Sequence, residues 1–241
     1  MRYRLVCLDA GFTLLAPRRT LSEALRGVLA EHGHTVTDEE LHRAWEVADR
    51  WFWDDYHRPM NDTWGDDARI DATWRQYHSL MLGELGLADE RHRLIDTILA
   101  AQYAPDSWEL YPDVLPAVAE LHAAGVKLGI VSDWGSNLLP IVEGLGLAGE
   151  MDFVLASGSV GLSKPDPAFF RLAAARAGIP PGEAVMVGDS YRADVEGARS
   201  GGMEGILVRR PEWRDRREPV PDGVHVVASL AELPPIVLGG G

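Results

Sequence analysis

The second half of the chain alternates short apolar runs with longer stretches of helical length. The apolar runs, rich in Val, Ile and Leu, read VKLGIVSD, MDFVLAS, EAVMVGD, EGILV and HVVAS. The first three are each followed by an Ala- or Leu-rich stretch, namely NLLPIVEGLGL, PAFFRLAAARAGI and RADVEGARSGG. Strands that alternate with helices in this way are typical of βαβ units. We therefore expect an α/β fold with a parallel sheet.

Residues 17–107 follow a different pattern. Apolar positions recur at helical spacing, β-rich runs are few, and turn signals occur at EHGHTVTDEE, HRPMNDTWGDD and LGLADE. This pattern predicts an all-helical domain of about four helices. It would be inserted between the first and second strands of a core formed by residues 1–16 and 108–241. Its aromatic segment WFWDDYHRPMNDTW fits either a lid that selects the substrate or the packed centre of a helical bundle.

The charge and the cysteine content restrict the function classes. The formal net charge of −14 over 241 residues argues against binding the phosphate backbone of a nucleic acid. It allows a small anionic substrate in a locally positive pocket. The single cysteine, Cys7, excludes an intramolecular disulfide. We find neither a signal peptide nor a run of membrane-spanning length, so we expect a cytoplasmic protein with no membrane partner, and its oligomeric state stays open.

Three polar residues end or follow apolar runs that are far apart in the sequence. Asp9 follows VCL, Ser132 ends GIVS and Asp189 follows VMVG. Ligands of open parallel sheets bind beyond the carboxyl ends of the strands, so we expect these side chains at one edge of the sheet. A carboxylate at that edge can attack phosphorus or carbon and form a covalent intermediate.

Four stretches, in this order, carry a resemblance to a known family. They read LDAGFTLL, GIVSDW, LSKPDP and VGDSYRAD. Together with the helical insertion after the first stretch, they resemble the haloacid dehalogenase-like hydrolase superfamily, and the resemblance covers essentially the whole chain. It implies a Rossmann-like parallel-sheet core with an inserted helical cap, and a hydrolase as the activity.

The resemblance and the residue types together imply a set of site residues. The implied catalytic residues are Asp9, Thr13, Ser132 and Lys164, and the implied ligands of a Mg²⁺ cofactor are Asp9, the main chain of Gly11, Asp189 and Asp194. Asp194 either completes the coordination or lies one shell further out. Mg²⁺ prefers oxygen ligands of this kind. The lysine supplies positive charge for a transferred phosphoryl group, and the two hydroxyls can donate to its oxygens. The expected partner is a small phosphorylated molecule.

The first stretch departs from the pattern of the family's phosphatases. Those enzymes carry a second Asp two positions after the nucleophile, where this chain has Gly11, and Phe12 stands where glycine is usual. General acid–base catalysis contributes on the order of 10²–10⁴-fold, so its loss predicts weak or atypical activity. The cap residues that are candidates to replace the missing acid are Asp54, Asp55, Tyr56 and His57. The first three are also expected, with Asp133 and Trp134, to contact the substrate.

Three hypotheses follow from this departure. The first is a Mg²⁺-dependent phosphatase of a small phosphorylated metabolite, which acts through an aspartyl-phosphate at Asp9. The second is a non-catalytic member that binds a phosphorylated ligand or a partner protein. The third is a 2-haloacid dehalogenase, a branch that also lacks the second Asp but has no use for the acidic pair Asp189 and Asp194. We favour the phosphatase.

Overall fold

The computed structural model describes residues 1–56, 63–211 and 220–239 of the chain. Its strands are β1 Leu5–Leu8, β2 Leu15–Pro17, β3 Trp108–Leu110, β4 Lys127–Ser132, β5 Phe153–Ala156, β6 Ala184–Gly188, β7 Glu204–Val208 and β8 His225–Val227. A six-stranded parallel sheet has the order β5-β4-β1-β6-β7-β8. The α/β fold with a parallel sheet, expected from the sequence, is confirmed.

Helices follow most of these strands. In the described ranges the α-helices are α1 Leu21–Glu31, α2 Asp38–Tyr56, α3 Asp67–Glu84, α4 Arg91–Tyr103, α5 Val114–Ala123, α6 Leu138–Gly144, α7 Ser157–Val160, α8 Pro167–Ala177, α9 Gly197–Ser200 and α10 Leu233–Leu238. A π-helical turn, Tyr191–Glu196, precedes α9. None of the described helices is both long and apolar enough to cross a membrane.

The sheet is buried on both faces, and this explains its continuous apolar runs. Successive side chains of a strand point to opposite faces. In β1, Val6 and Leu8 belong to a cluster that includes residues of α5, α6 and α10, whereas Leu5 and Cys7 pack with α8 residues such as Phe169 on the other face. A strand covered on both faces has no polar side to alternate with, as parallel sheets generally show.

Helices α1 to α4 form the insertion and have an apolar cluster of their own. The cluster is Leu25, Val28, Leu29, Leu41, Ala44, Ala48, Tyr77, Met81, Leu82, Leu94, Ile95, Ile98 and Leu99. Helix α1 begins with a capping box, in which Thr20 Oγ1 accepts from the Glu23 N–H and the Glu23 carboxylate accepts from the Thr20 N–H.

A short antiparallel ribbon, β2 paired with β3, stands where the chain leaves the core and where it returns. The sequence pattern predicts the insertion directly between the first two strands of the sheet and gives no sign of this ribbon. Its strands have three residues each, too few to show an alternating pattern.

A partly buried carboxylate joins the first loop of the core to the C-terminal part of the chain. Asp113 Oδ2 accepts from Arg210 Nη1 at 2.6 Å, from Ser229 Oγ at 2.5 Å and from the Leu230 N–H at 2.7 Å. The same guanidinium donates through Nη2 to the Thr13 carbonyl at 2.7 Å. The loop that follows β1 is therefore held by an ion pair remote in sequence.

We predict that Asp113→Asn lowers the free energy of unfolding by about 1–3 kcal/mol at neutral pH, because it removes the charged partner of a buried guanidinium. Burial raises the pKa of Asp113, but the bonds from Arg210 and Ser229 outweigh burial and lower it below its ordinary value of 3.8. The stabilisation is thus present above that value and is lost as the pH falls through the lower folded-state pKa.

Urea denaturation of wild type and Asp113→Asn, repeated at decreasing pH, measures this effect. The difference between them should shrink on acidification, and the exposed control Asp89→Asn should show no such difference at any pH. A difference that is independent of pH would contradict the account.

Candidate active site

Three adjacent strands deliver polar residues to one edge of the sheet. Asp9 follows β1, Ser132 ends β4 and Asp189 follows β6, and β1 lies between the other two strands. The chain positions are far apart, yet Ser132 Oγ donates to Asp9 Oδ1 at 2.9 Å. The parallel topology itself therefore brings these side chains together.

A buried lysine links this edge to the π-helical turn. Lys164, in the loop between α7 and α8, donates from Nζ to Asp9 Oδ1 at 2.6 Å and to Asp194 Oδ1 at 2.6 Å. Asp194 Oδ2 also accepts the Ser190 N–H at 3.0 Å. The close approach of Asp194 requires glycine at position 188, because a Cβ on Gly188 would lie 2.2 Å from Asp194 Cγ.

The buried carboxylates at this edge outnumber the cations in the described part of the site. Burial, followed by the charges of Asp9 and Asp194, raises the pKa of Asp189 well above its ordinary value. Burial likewise raises the pKa of Asp194 to about 6, although the Lys164 charge lowers it. Burial lowers the pKa of Lys164 itself, but the charges of Asp194 and Asp9 outweigh burial and raise it. The cluster therefore favours additional positive charge.

The donor set at this edge fits a magnesium ion. Oxygens of Asp9, Asp189 and Asp194 all lie within 4.8 Å of one another. Asp9, Asp189 and Asp194 could therefore hold one Mg²⁺ ion, which prefers carboxylate oxygens as ligands. The cation would also relieve the carboxylate repulsion that, after burial, contributes to the raised pKa values of Asp189 and Asp194.

The loop after Asp9 has an unusual backbone and an aromatic neighbour. Phe12 has a φ of 56°, in the left-handed region that glycine adopts freely and other residues adopt at a cost of roughly 1–2 kcal/mol. A glycine at this position would carry no such strain. At the preceding residue, a Cβ built on Gly11 would lie 3.4 Å from Trp134 Cζ3. The indole of Trp134 thus lies against the position where the family's phosphatases carry their acid.

Trp134 is held firmly in that position. Its N–H donates to Ser157 Oγ at 3.0 Å, and its carbonyl accepts from the same hydroxyl at 3.3 Å and from the Gly158 N–H at 3.0 Å. Its ring meets that of Trp108 edge to face, with centroids 5.0 Å apart. The surface beside Gly11 is consequently apolar and rigid.

A cavity of about 650 Å³ separates the helical insertion from the sheet edge. Its lining includes Asp9, Gly11, Asp133, Lys164, Asp189 and Asp194 on the side of the sheet. Its aromatic lining is Phe12, Trp45, Phe52, Trp53, Tyr56, Trp64, Trp74, Tyr77, Tyr103, Trp108 and Trp134. The sequence left open whether the aromatic residues of the insertion pack in a helical bundle or face the substrate. Some of them pack in the core of the insertion, and several face the cavity.

Helical spacing decides which residues of α2 face the cavity. Asp49, Phe52, Trp53 and Tyr56 line it, at positions i, i+3, i+4 and i+7. Asp54 and Asp55 are absent from the described lining, and Asp55 instead lines a shallow open depression on the outer side. The expectation that these two carboxylates contact the substrate is therefore not supported, because they lie off the cavity face of the helix.

The other residues that the sequence analysis assigned to the site differ in whether they line the cavity. Tyr56, Asp133 and Trp134 line the cavity, and His57 lies outside the described residues. Thr13 is fully buried and is absent from the cavity lining, because the turn at Phe12 directs the following residues into the core. Its hydroxyl, which has no hydrogen-bond partner in the described part of the chain, is therefore not placed to contact the substrate.

Asp49 and Trp108 are among the cavity residues that the sequence pattern did not predict. Asp49 lies on the same helical face as Trp53 and accepts from Tyr77 Oη at 2.6 Å, but the sequence does not show which face of α2 turns to the cavity. Trp108, which packs on Trp134, carries no local signal, since it belongs to the unpredicted ribbon.

Comparison with known proteins places these features in context. A family model described as haloacid dehalogenase-like hydrolase matches residues 3–202. The Mus musculus protein "Haloacid dehalogenase-like hydrolase domain-containing protein 3" is 31% identical over 239 residues, which cover 98% of this chain and 94% of that protein.

Two solved structures resemble the chain to the same degree. A 2-haloacid dehalogenase from Pseudomonas syringae pv. Tomato DC3000 has 27% identity and a TM-score of 0.66, and the match covers 98% of each chain. A HAD phosphatase from Thermococcus onnurineus has 28% identity and a TM-score of 0.66, again over 98% of each chain. These two likenesses do not distinguish attack on phosphorus from attack on carbon, so the distinction must come from the residues of the site.

We predict that Mg²⁺ binds to this carboxylate cluster in competition with protons. Asp194, with a pKa of about 6, and Asp189, whose pKa is also raised, must lose their protons to hold the ion. The affinity should therefore fall as the pH is lowered through about 6. Binding should also release protons, and the number released should decrease as the pH rises above that value.

Titration calorimetry in buffers of different ionisation enthalpy measures both the affinity and the proton release. Asp189→Asn should weaken binding strongly, whereas Asp106→Asn, a cavity-lining carboxylate outside the cluster, should leave it unchanged. A Mg²⁺ affinity that does not change with pH over this range would contradict the assignment of Asp189 and Asp194 as ligands.

Proposed function

Because the chain belongs to the haloacid dehalogenase-like hydrolase family, and is therefore a hydrolase, we propose that it is a Mg²⁺-dependent phosphatase. It hydrolyses phosphate monoesters of bulky, apolar organic groups through an aspartyl-phosphate at Asp9. This substrate is larger than the small metabolite expected from the sequence, and the size of the cavity is the reason.

One observation carries the choice of phosphorus over carbon, namely the grouping of Asp9, Asp189 and Asp194 within 4.8 Å. Displacement of a halide by a carboxylate requires no metal and gains nothing from two further acids beside the nucleophile. Phosphoryl transfer requires positive charge at the phosphate oxygens. A Mg²⁺ ion bound by these three carboxylates and the Gly11 carbonyl would supply that charge and polarise the phosphoryl group.

The hydrogen bonds at Asp9 fit a nucleophile. Ser132 Oγ and Lys164 Nζ both donate to Oδ1, which fixes the carboxylate plane. Oδ2 accepts no hydrogen bond from the described residues, so this oxygen remains for attack on phosphorus. Lys164 balances negative charge that develops on the transferred group. Water then hydrolyses the aspartyl-phosphate and restores Asp9.

The cavity supports a bulky apolar leaving group. Its volume of about 650 Å³ lies within the range of about 300–1,000 Å³ that holds drug-sized ligands, and a three-carbon acid would leave most of it unfilled. The Trp134 ring beside Gly11, with Trp108 packed against it, offers an apolar surface next to the site of attack. Aryl and acyl phosphates need little protonation as they leave, so they should suffer least from the missing acid.

A 2-haloacid dehalogenase is the second candidate. The apolar surface of Trp134 beside Gly11 would suit a carbon–halogen bond, and the Pseudomonas syringae structure bears that name. Chloride release from a 2-chloro acid separates this chemistry from phosphate release.

We predict that the protein releases phosphate from methylumbelliferyl phosphate in a Mg²⁺-dependent manner. Asp9→Asn removes the nucleophile and should abolish turnover, because the amide cannot form the acyl-phosphate. Fluorescence of the released coumarin measures the rate, and chloride release from chloropropionate is measured in parallel. Chloride release without phosphate release would establish the dehalogenase, and neither activity would favour the non-catalytic ligand-binding protein.

We also predict that Trp53→Ala raises KM for methylumbelliferyl phosphate by roughly 2–10-fold, the effect of losing about 0.5–1.5 kcal/mol of aromatic contact. Acetyl phosphate, which cannot reach across the cavity, should show a change of less than about twofold. Trp51→Ala is the matched control, since Trp51 lies on the same helix but lines the outer depression. Equal effects on both substrates would contradict a cavity that holds the organic group.

A further inference from the structure

The missing acid at position 11 leaves open which group protonates the leaving oxygen. The carboxyl groups that line the described part of the cavity are those of Asp9, Glu31, Asp49, Asp106, Asp133, Asp189 and Asp194. The nucleophile and its two neighbours form the metal cluster, and Asp49 is engaged by the Tyr77 hydroxyl at 2.6 Å. Asp133 is the remaining carboxyl group next to the reacting centre in sequence and fold, because it directly follows Ser132 at the end of β4.

One of the two carboxyl oxygens of Asp133 accepts a hydrogen bond that orients the side chain. Its Oδ1 accepts the Lys164 N–H at 2.9 Å, which fixes the carboxyl group at the cavity wall. Its Oδ2 accepts no hydrogen bond from the described residues, and Asp133 is not part of the three-carboxylate group that could hold a metal ion. We propose that Asp133 is the general acid and base of this enzyme, in the role that the residue at position 11 has lost. This assignment rests on the proposed phosphatase function.

Burial keeps Asp133 partly protonated near neutral pH, and the charged groups around it adjust its pKa. Burial raises its pKa to about 7, the charge and the N–H of Lys164 lower it, and the charges of Asp9 and Asp194 raise it. A general acid works best with a pKa near the working pH, where both of its forms are available.

The protons and electrons balance over two steps. An oxygen of Asp9 forms a bond to phosphorus, the bond to the leaving oxygen breaks, and that oxygen takes its electron pair and the proton of Asp133. The Asp133 carboxylate then removes a proton from water, the water oxygen attacks phosphorus, and the bond to Asp9 breaks. Phosphate, an ionised Asp9 and a protonated Asp133 remain.

The test uses Asp133→Asn on two substrates that differ mainly in their need for an acid. The Asn side chain retains an oxygen that can accept the Lys164 N–H, so the variant removes the proton donor and keeps the contact. For para-nitrobenzyl phosphate, an alkyl ester, kcat/KM should fall by roughly 10²-fold or more. For para-nitrophenyl phosphate, whose leaving group needs little protonation, it should fall by less than about tenfold.

The outcomes separate this assignment from the proposed function. Equal losses on the two substrates, or no loss on the alkyl ester, would overturn the role of Asp133 and leave the phosphatase standing. Failure of the wild type to hydrolyse either ester with Mg²⁺ would overturn both. Asp106→Asn, a cavity carboxylate at the rim, is the control for a simple change of charge and should not discriminate between the esters.

A second measurement requires no variant. In the wild type, kcat/KM for the alkyl ester should fall as the pH rises through about 7, because Asp133 loses its proton, while the nitrophenyl ester should lack this limb. Identical pH profiles for the two esters would overturn the assignment even if Asp133→Asn failed to fold.

Discussion

The Lys164 ammonium lies between two buried carboxylates, 2.6 Å from an oxygen of Asp9 and 2.6 Å from an oxygen of Asp194. Several acids confined in a small, poorly hydrated space repel one another, and each would take up a proton unless a cation compensates for it. The lysine compensates for part of this charge, while burial and the remaining carboxylate charges raise the pKa values of Asp189 and Asp194. The negative charge that Lys164 leaves uncompensated favours a bound metal ion, and that ion would in turn favour an anionic substrate.

The scaffold meets this electrostatic requirement with remote parts of the chain. The carboxyl ends of β1, β4 and β6 meet at one edge because these strands are neighbours in the sheet. The lysine arrives from the loop before α8, and the absence of a side chain at Gly188 allows Asp194 to approach. The Asp113–Arg210 pair holds the carbonyl of Thr13 and so steadies the first loop. The charged centre therefore sits on rigid elements, whereas the helical insertion supplies the shape of the cavity.

Much of the core follows from the sequence, because its signals are local. The apolar runs mark the strands, and residues that end them, such as Asp9 and Ser132, must meet once the sheet is parallel. The position of Trp134 against Gly11 has no such signal, since it depends on how two loops cross in space. The orientation of α2 was also beyond the sequence: Asp54 and Trp53 are adjacent, and only the packed helix shows that Trp53 faces the cavity.

The central claim is that Asp9 carries a phosphoryl group during turnover. The most direct measurement is acid quenching of the Mg²⁺-loaded protein shortly after mixing with acetyl phosphate, followed by peptide mass spectrometry. The account predicts a phosphorylated peptide that contains Asp9 and is missing from Asp9→Asn. An unmodified Asp9 after acetyl phosphate, together with an ester on Asp9 after mixing with chloropropionate, would contradict it and identify the carboxylate as a nucleophile towards carbon.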